Sequence, residues 1–466
     1  MSFSAQEFLA IDLPALLAAT LATVSCALVG SFLVLRRQSL MGDAIAHAAL
    51  PGIVIAFLIA GTRASPAMVL GAAAAGTLAT VLIEALRRAA RVESQASMGV
   101  VFSIMFAAGV LLLEQAAARN IDLDADCVLY GQLEDILWLA PDGFASLLDP
   151  SVWMAMPREV VTLAIVCAAV VALIALFYKE LKITSFDPGL ATTLGINSSA
   201  VHYGLMAATA LVVVASFEAV GSILVIAMLI CPAAAARMFT DRLPSQLFVS
   251  ATLAALAAIA GYVLAGFGPI WLGAEHSLNA AGMIAVVGGA LVGLAIVGSP
   301  RHGAIARTIR RRRLSLRIAR EDLLGLLYRF EEATDRGERE VGPDQESALR
   351  LLVRLAPGAS LKLARRAMQC CLRDGSLRLD GGRLVLTEAG RAEARRLVRS
   401  HRLWERYLVQ ELGQRPDHVH RTAMELEHIT SPAMQQELAP GPEGPDRDPH
   451  DRPIPPGDPS ETGKNT

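Results

Sequence analysis

The sequence predicts an all-α polytopic membrane bundle followed by a smaller soluble α+β domain. Two observations predict it. The 466-residue chain is 53% hydrophobic and only 18% charged, and up to about Pro300 it is a succession of apolar runs rich in Ala, Leu, Val and Gly, each near the ~20 residues that a bilayer requires. From Arg301 the composition becomes that of an ordinary charged soluble sequence. The net charge of -2 averages over both halves and excludes no class of partner. The six cysteines show neither a paired framework nor zinc-type spacing, and the adjacent Cys370 and Cys371 read as fillers of a soluble helix. The N-terminal stretch MSFSAQEFLAID lacks the basic region of a cleavable signal peptide, so the first apolar run is expected to stay as a span.

In chain order, spans are expected at about 13–35, 40–61, 66–86, 97–115, 159–178, 200–217, 219–238, 245–266 and 279–298. The pair flanking Phe217 and Glu218 reads equally as one span plus a half-helix hairpin, which makes the count about nine, or eight. Arg36, Arg37, Arg87, Arg88, Arg91, Lys179, Lys182, Arg237, Arg242 and the run Arg310 to Arg313 fall on one side, while the opposite loops hold Arg63, Arg119 and Arg158. The positive-inside rule then puts the C-terminal domain in the cytosol. Trp138, Trp153 and Trp271 fall in outer loops, where an interfacial aromatic belt is expected. Small-residue faces such as Gly71 to Gly76 suit a closely packed bundle.

Within the second span the stretch SLMGDAIAHAALP carries Asp43 and His47 four positions apart, on one face of a helix. A carboxylate and an imidazole inside a span are costly and mark a transport path or proton relay. The outer segment from Arg119 to Pro157 is acidic, with Asp122, Asp124, Asp126, Glu134, Asp135 and Asp142, and reads either as a cation-concentrating vestibule or as a solvated loop. After the fifth span, ITSFDPGLATTLGI offers Asp187 as a cap, Pro188 at the first helical position and Gly195 as a terminator. A short cytosolic helix between two spans can receive motion from a motor; a plain surface turn would read similarly.

Taken together and in order, LVLRRQSLMGDAIAHAALPG, SMGVVFSIMFAAGVLLL, VLYGQL, SFDPGLATTLGI and VGSILVIAMLICPAAAARMF resemble the membrane subunit of zinc, manganese and iron ABC importers over nearly all of residues 10 to 300. The resemblance implies that Asp43 and His47 bind the ion in its pathway. It also implies that Asp187, Pro188, Gly189, Leu190, Ala191 and Gly195 form the coupling helix on the ATPase. It implies as partners two cytosolic ATPase subunits, a second permease subunit, the same or homologous, and an extracellular metal-binding protein. The chain carries no G-x-x-x-x-G-K-[ST] phosphate loop, so no bound nucleotide is expected and ATP hydrolysis is assigned to a separate chain.

The soluble half opens with a basic stretch, Arg301 to Arg320, read as a linker facing lipid headgroups. EDLLGLLYRFEEA then reads as an amphipathic helix, with further helices at about 344–355 and 359–373 and two short strands about Gly381 and Gly382. Three helices and a hairpin outline a winged helix. Its third helix carries Lys362, Arg365, Arg366 and Arg373, which suit DNA phosphates; winged helices also bind proteins, and basic faces are often only solvated. A longer helix from about Glu388 to Glu411 holds His401 and Glu405 at i, i+4. A further one, Pro416 to about Ile429, aligns His420, Met424, Glu427 and His428. Imidazole, carboxylate and thioether together match a divalent transition-metal site, and the oxygen and nitrogen donors favour Mn2+ or Fe2+ over Zn2+.

TEAGRAEARRLVRSHRLWERYLVQELG, HVHRTAMELEHITSPAMQQEL and DPHDRPIP resemble the diphtheria-toxin-repressor family of iron- and manganese-dependent regulators, over about Arg320 to Pro455. The resemblance implies one metal site at His401, Glu405 and His420, and another at Met424, Glu427 and His428, with Asp322 as its N-terminal ligand. Three departures stand out. Met424 replaces the usual Cys or Glu, Gly325 offers no side chain where manganese-type members supply Glu, and PIPPGDPSETGKNT follows where an SH3-like third domain is expected. That last stretch reads as disordered.

The expected organisation is a permease domain over 1–300, a basic linker over 301–320, a winged-helix domain over 321–392, a helical metal-binding and dimerisation domain over 393–438 and a disordered tail over 439–466. The fold class is thus an all-α membrane bundle plus a cytosolic α+β winged-helix and helical metal-sensing domain. The expected function is a metal-ion permease with a regulatory domain, multi-pass in a bacterial-type plasma membrane. Competing readings are a membrane-tethered, metal-dependent DNA-binding regulator and an ATP-independent channel or carrier.

Overall fold

The computed structural model describes residues 5–60, 65–90, 93–117, 133–141, 143–271, 273, 278–337, 343–355, 360–439 and 447–457. The chain forms two compact units, Met1–Arg307 and Thr308–Thr466.

Among the described residues of the first unit, nine helical segments are long and apolar enough to cross a membrane: Phe8–Leu35, Leu40–Ala60, Leu70–Arg87, Gln95–Gln115, Arg158–Leu176, Ser198–Phe217, Ala219–Phe239, Leu243–Pro269 and Ala280–Gly298. The first is apolar all round, as a central helix must be. Its buried residues Ala15, Ala18, Ala22, Cys26, Val29 and Phe32 join one core with Leu224, Met228 and Leu229 of the seventh. Gly30 allows that approach, because a Cβ there would collide with the Leu229 carbonyl. Ser198–Phe239 runs as one helical stretch broken at Gly221, whose φ of 75° and ψ of 166° belong to a region open essentially to glycine alone.

Two expectations at the end of the bundle bearing residues 133–156 change. Trp138, expected in an interfacial belt, is fully buried; its ring packs on Trp153 with centroids 5.6 Å apart, and its indole N–H donates to the Val152 carbonyl at 3.2 Å. Its backbone N–H donates to the Ala10 carbonyl at 2.8 Å. Glu134, read as part of either an acidic vestibule or a solvated loop, accepts the Ala280 N–H at 2.9 Å and so caps the last span. Asp122, Asp124, Asp126 and Asp142 lie outside the described residues. Trp153 and Trp271 are exposed, as a belt requires.

The second unit has the winged-helix outline. Its helices are Ala304–Asp335, which begins in the first unit, Gln345–Leu355 and Leu361–Arg373. Strands Leu377–Asp380 and Arg383–Leu386 pair antiparallel about Gly381 and Gly382, both at positive φ. Leu323, Leu327, Leu352, Met368, Cys371 and Leu384 form the core. Cys371 is the expected filler, and burial pushes its thiol up to about 11. From Ala304 on, the stretch read as a linker is helical and belongs to the helix Ala304–Asp335.

Helices Glu388–Gln410, His420–Leu426 and Pro432–Leu438 follow. The helix expected from Pro416 to Ile429 is shorter: Pro416–His418 is a 3-10 turn and regular helix ends at Leu426. The tail, expected to be disordered, is ordered over 447–457. Ile454 is buried with Leu403 and Ala439, Arg399 donates to the Pro455 carbonyl at 2.6 Å, and buried Arg402 donates to the Pro453 carbonyl. Two arginines on the long helix thus satisfy carbonyls that a proline-rich segment cannot pair internally. Residues 440–446 and 458–466 lie outside the described residues.

Candidate metal centres

Asp43 and His47 share one face of the helix Leu40–Ala48, and His47 Nε2 lies 3.3 Å from Asp43 Oδ1. Met41, Ala44, Ile45 and Ala48 bury the opposite face. Exposures of 29% for the imidazole and 39% for the carboxylate leave the pair accessible to a small ion. Phe102 and Phe106 stand edge-on to the imidazole, with centroids 5.2 and 5.7 Å away, and restrict its rotation. Just beyond, Pro51 has no N–H for the His47 carbonyl, and the helix is interrupted between Ala48 and Leu50. That carbonyl therefore lacks its usual helical donor beside the pair.

The segment after the fifth span forms as its residues dictate. Asp187 Oδ1 accepts the Leu190 N–H at 2.9 Å, Pro188 starts the helix Pro188–Thr193, and Gly195 ends the turn at φ 81°. Gly189 and Leu190 are exposed, whereas Ala191 is buried and seats the helix.

The sequence-derived ligands of the second unit assemble into two clusters, each with its ligand atoms within 4.8 Å of one another. In the first, His401 Nε2 lies 3.1 Å from Glu405 Oε1 and 3.0 Å from His420 Nδ1, and His420 Nδ1 lies 2.9 Å from Glu405 Oε1. In the second, His428 Nε2 lies 3.2 Å from Asp322 Oδ1 and 3.9 Å from Glu427 Oε1. His420 stands about two helical turns, roughly 10 Å, before Glu427 and His428, so the single face expected from spacing divides between the clusters. Met424 lines a small cavity with Asp322, Gly325 and Glu427, beside the second cluster.

Electrostatics follow from burial and partners. Burial disfavours charge on His401, but Glu405 and Glu427 outweigh it and raise the imidazole. Burial likewise opposes ionisation of Glu405, yet hydrogen bonds from His401 and His420 hold it far below the usual carboxylate range. At His428 burial is outweighed by Asp322 and Glu321, and the imidazole is pushed up to about 10.

Sequence reasoning missed two neighbours. Glu321 Oε2 lies 2.7 Å from His428 Nδ1, while Glu321 Oε1 accepts from Arg317 at 2.8 Å, so Glu321 orients the ring with Nε2 toward Asp322. His450, in the ordered tail, brings Nε2 to 3.9 Å from Glu405 Oε1. The first sits next to Asp322 in EDLL and the second lies within DPHDRPIP, so both were in view, but neither shares a helical face with the other ligands.

The donors fit a divalent transition ion: imidazole nitrogens and carboxylate oxygens, with His401, Glu405 and Glu427 buried. Buried His401 Nδ1 and Glu427 Oε2 face each other at 2.6 Å, which leaves His401 Nε2 and Glu427 Oε1 turned toward the first and second clusters, where a cation would find them. On the winged helix, Lys362, Arg365, Arg366 and Arg373 are all exposed and share one face of Leu361–Arg373.

The sequence model of the ABC 3 transport family matches residues 8–140 and 143–296. That of the iron dependent repressor metal binding and dimerisation domain matches residues 387–456. The manganese transport system membrane protein MntD of Bacillus subtilis is 41% identical over 288 residues, 62% of this chain and 92% of the relative. The zinc transport system membrane protein TroD of Treponema pallidum is 36% identical over 374 residues, 80% of this chain and 95% of the relative. Among solved structures, PsaBC from Streptococcus pneumoniae in complex with Fab is 30% identical and covers 62% of this chain and 92% of that one, with a TM-score of 0.48.

Proposed function

Because this chain belongs to the ABC 3 transport family, we propose that it is the membrane permease of an ATP-driven importer of divalent transition-metal ions, carrying a cytosolic domain that senses the same class of ion. The observation that carries this reading is the Asp43–His47 pair, held 3.3 Å apart within a membrane span. An ionised carboxylate and a neutral imidazole bind manganese, iron(II) or zinc. An extracellular binding protein delivers the ion, Asp43 and His47 hold it, and it leaves inward when two ATPase subunits close against the Asp187–Gly195 segment. The permease pairs with a second copy or a homologous permease in the plasma membrane.

The sensing sites are His401, Glu405 and His420, and Asp322, Met424, Glu427 and His428, for manganese or iron(II) in preference to zinc. A bound ion supplies the positive centre that these carboxylates face. Glu321 holds the His428 ring, and the tail segment 447–457 holds His450 beside Glu405. Metal-driven restraint of transport requires that the ion bind one arrangement of this domain better than another. Metal accumulation in cells dependent on this permease tests the path: loss of uptake in Asp43→Ala and His47→Ala, with the protein still assembled, supports it, and normal uptake in both refutes it.

The exposed basic face of Leu361–Arg373 favours a second reading, in which the same domain binds DNA. A gel shift with the full chain in detergent, with and without manganese, decides it: metal-dependent, sequence-specific retardation is the positive result.

A further inference from the structure

A cleft of ≈ 440 Å³ opens in the first unit where four elements converge. These are the turn after the first span, the end of the third span, the helix Tyr178–Phe186 and the start of the sixth span, with Pro188 of the short helix Pro188–Thr193 on the rim. Its walls are polar, and its charge is not balanced. Arg87 is neutralised by a two-pronged pair with Glu84, at 2.8 and 2.7 Å. Arg36 is fixed differently: its Nε donates to Ser185 Oγ at 3.1 Å and a terminal nitrogen donates to Thr184 Oγ1 at 2.9 Å. Each hydroxyl gives its own proton to a carbonyl one turn back, Thr184 to Glu180 at 2.7 Å and Ser185 to Leu181 at 2.6 Å. The hydroxyls thus meet the guanidinium with lone pairs alone, which orients Arg36 without cancelling its charge. Arg37 is exposed, and its φ of 57° is one that side-chain-bearing residues seldom adopt. Among the described residues, neither Arg36 nor Arg37 has a carboxylate at ion-pair distance.

We propose that this cleft is a socket for acidic side chains of the ATPase partner, a second anchor beside the coupling helix. The inference rests on the transporter reading above. Two uncompensated guanidinium groups in a polar concavity complement carboxylates, which they bind through paired charge-assisted hydrogen bonds. The position selects the occupant: Thr184, Ser185 and Pro188 run directly into the segment that the ATPase grips, so a subunit seated on Leu190 also covers the cleft. Arg36, pre-oriented by its two hydroxyls, accepts a carboxylate with little further ordering.

The test measures binding of the purified cognate ATPase subunit to the full-length permease in nanodiscs, across a salt series. Arg37→Glu is expected to weaken binding by about tenfold or more, and Arg37→Gln by less, each with a shallower salt dependence than the native chain. Arg36→Gln should act in the same direction. A monodisperse permease profile on gel filtration verifies that each variant is assembled. Unchanged affinity and salt slope in the Arg37 variants overturn the socket. So does loss of retention on phosphatidylglycerol vesicles with ATPase binding intact, which assigns the cleft to lipid headgroups. A native chain that binds no ATPase overturns the transporter reading itself, a result distinct from either.

Discussion

His401 Nδ1 stands 2.6 Å from Glu427 Oε2, and this contact joins the two clusters, because His401 also faces Glu405 and His420 through its other ring nitrogen. The ring and carboxylate are close but not aligned for a hydrogen bond. His401 therefore belongs to the first cluster and props a ligand of the second. His401→Ala is expected to weaken metal binding at both, whereas His420→Ala acts on the first alone. Removing such an outer partner costs about 10- to 100-fold in affinity. Manganese titration followed by electron paramagnetic resonance of the free ion separates the two outcomes.

His428 predicts a pH dependence. Its imidazole is raised to about 10 by Asp322 and Glu321 against the cost of burial, from about 6.5 in an unfolded chain. The shift is upward, so the charged pairing stabilises the metal-free domain fully below about 6.5 and is lost as pH rises through about 10. A metal needs the neutral ring, so loading at neutral pH expels a proton. Manganese addition in weak buffer should acidify the solution, and affinity should climb with pH up to about 10.

His450 offers a sharper discrimination. Its Nε2 is 3.9 Å from Glu405 Oε1, close enough to join the first cluster after a small rotation. His450→Ala should lower metal affinity there several-fold and leave the Asp322, Glu427 and His428 cluster unchanged, as site-resolved isothermal titration would show.

For the proposed ion path, Asp43→Asn retains shape and removes charge. Uptake at limiting metal should fall by about tenfold or more, since an amide oxygen is a poorer ligand for a divalent ion. Phe102→Ala, which frees one side of the His47 ring, should produce a smaller loss. Radiolabelled manganese accumulation gives both values.

In the segment proposed to couple to the ATPase, Asp187→Ala removes the cap on Leu190, worth about 1 kcal/mol of helix stability. Uptake should drop while the amount of permease in the membrane stays the same, measured by quantitative immunoblot beside transport.

The sequence made legible what depends on local period and capping. Asp43 and His47 fall on one face because i and i+4 must, and Asp187, Pro188 and Gly195 frame their helix as residue chemistry dictates. Where long-range contacts decide, local reading failed. Trp138 looks interfacial by position, yet the Ala10 and Val152 carbonyls draw it inside. Glu134 looks like one surface carboxylate among several, but the free N–H of Ala280 claims it. The tail around Pro453 has a disordered composition, and only Arg399 and Arg402, on a helix some 50 residues earlier, reveal that it has partners.

The bonds of Trp138 to Ala10 and Val152, and of Glu134 to Ala280, stitch one connecting segment to the first and last spans at the same end of the bundle. Amides inside such a stitch exchange with deuterium only when the whole seam opens. The seam is therefore expected to act as a fixed pivot, with slow exchange at Trp138 and Ala280 in every nucleotide state. Motion that admits or releases cargo should register in the second, third and fourth spans, which these bonds leave unattached, and faster exchange around Leu50 and Gly52 would be its signature.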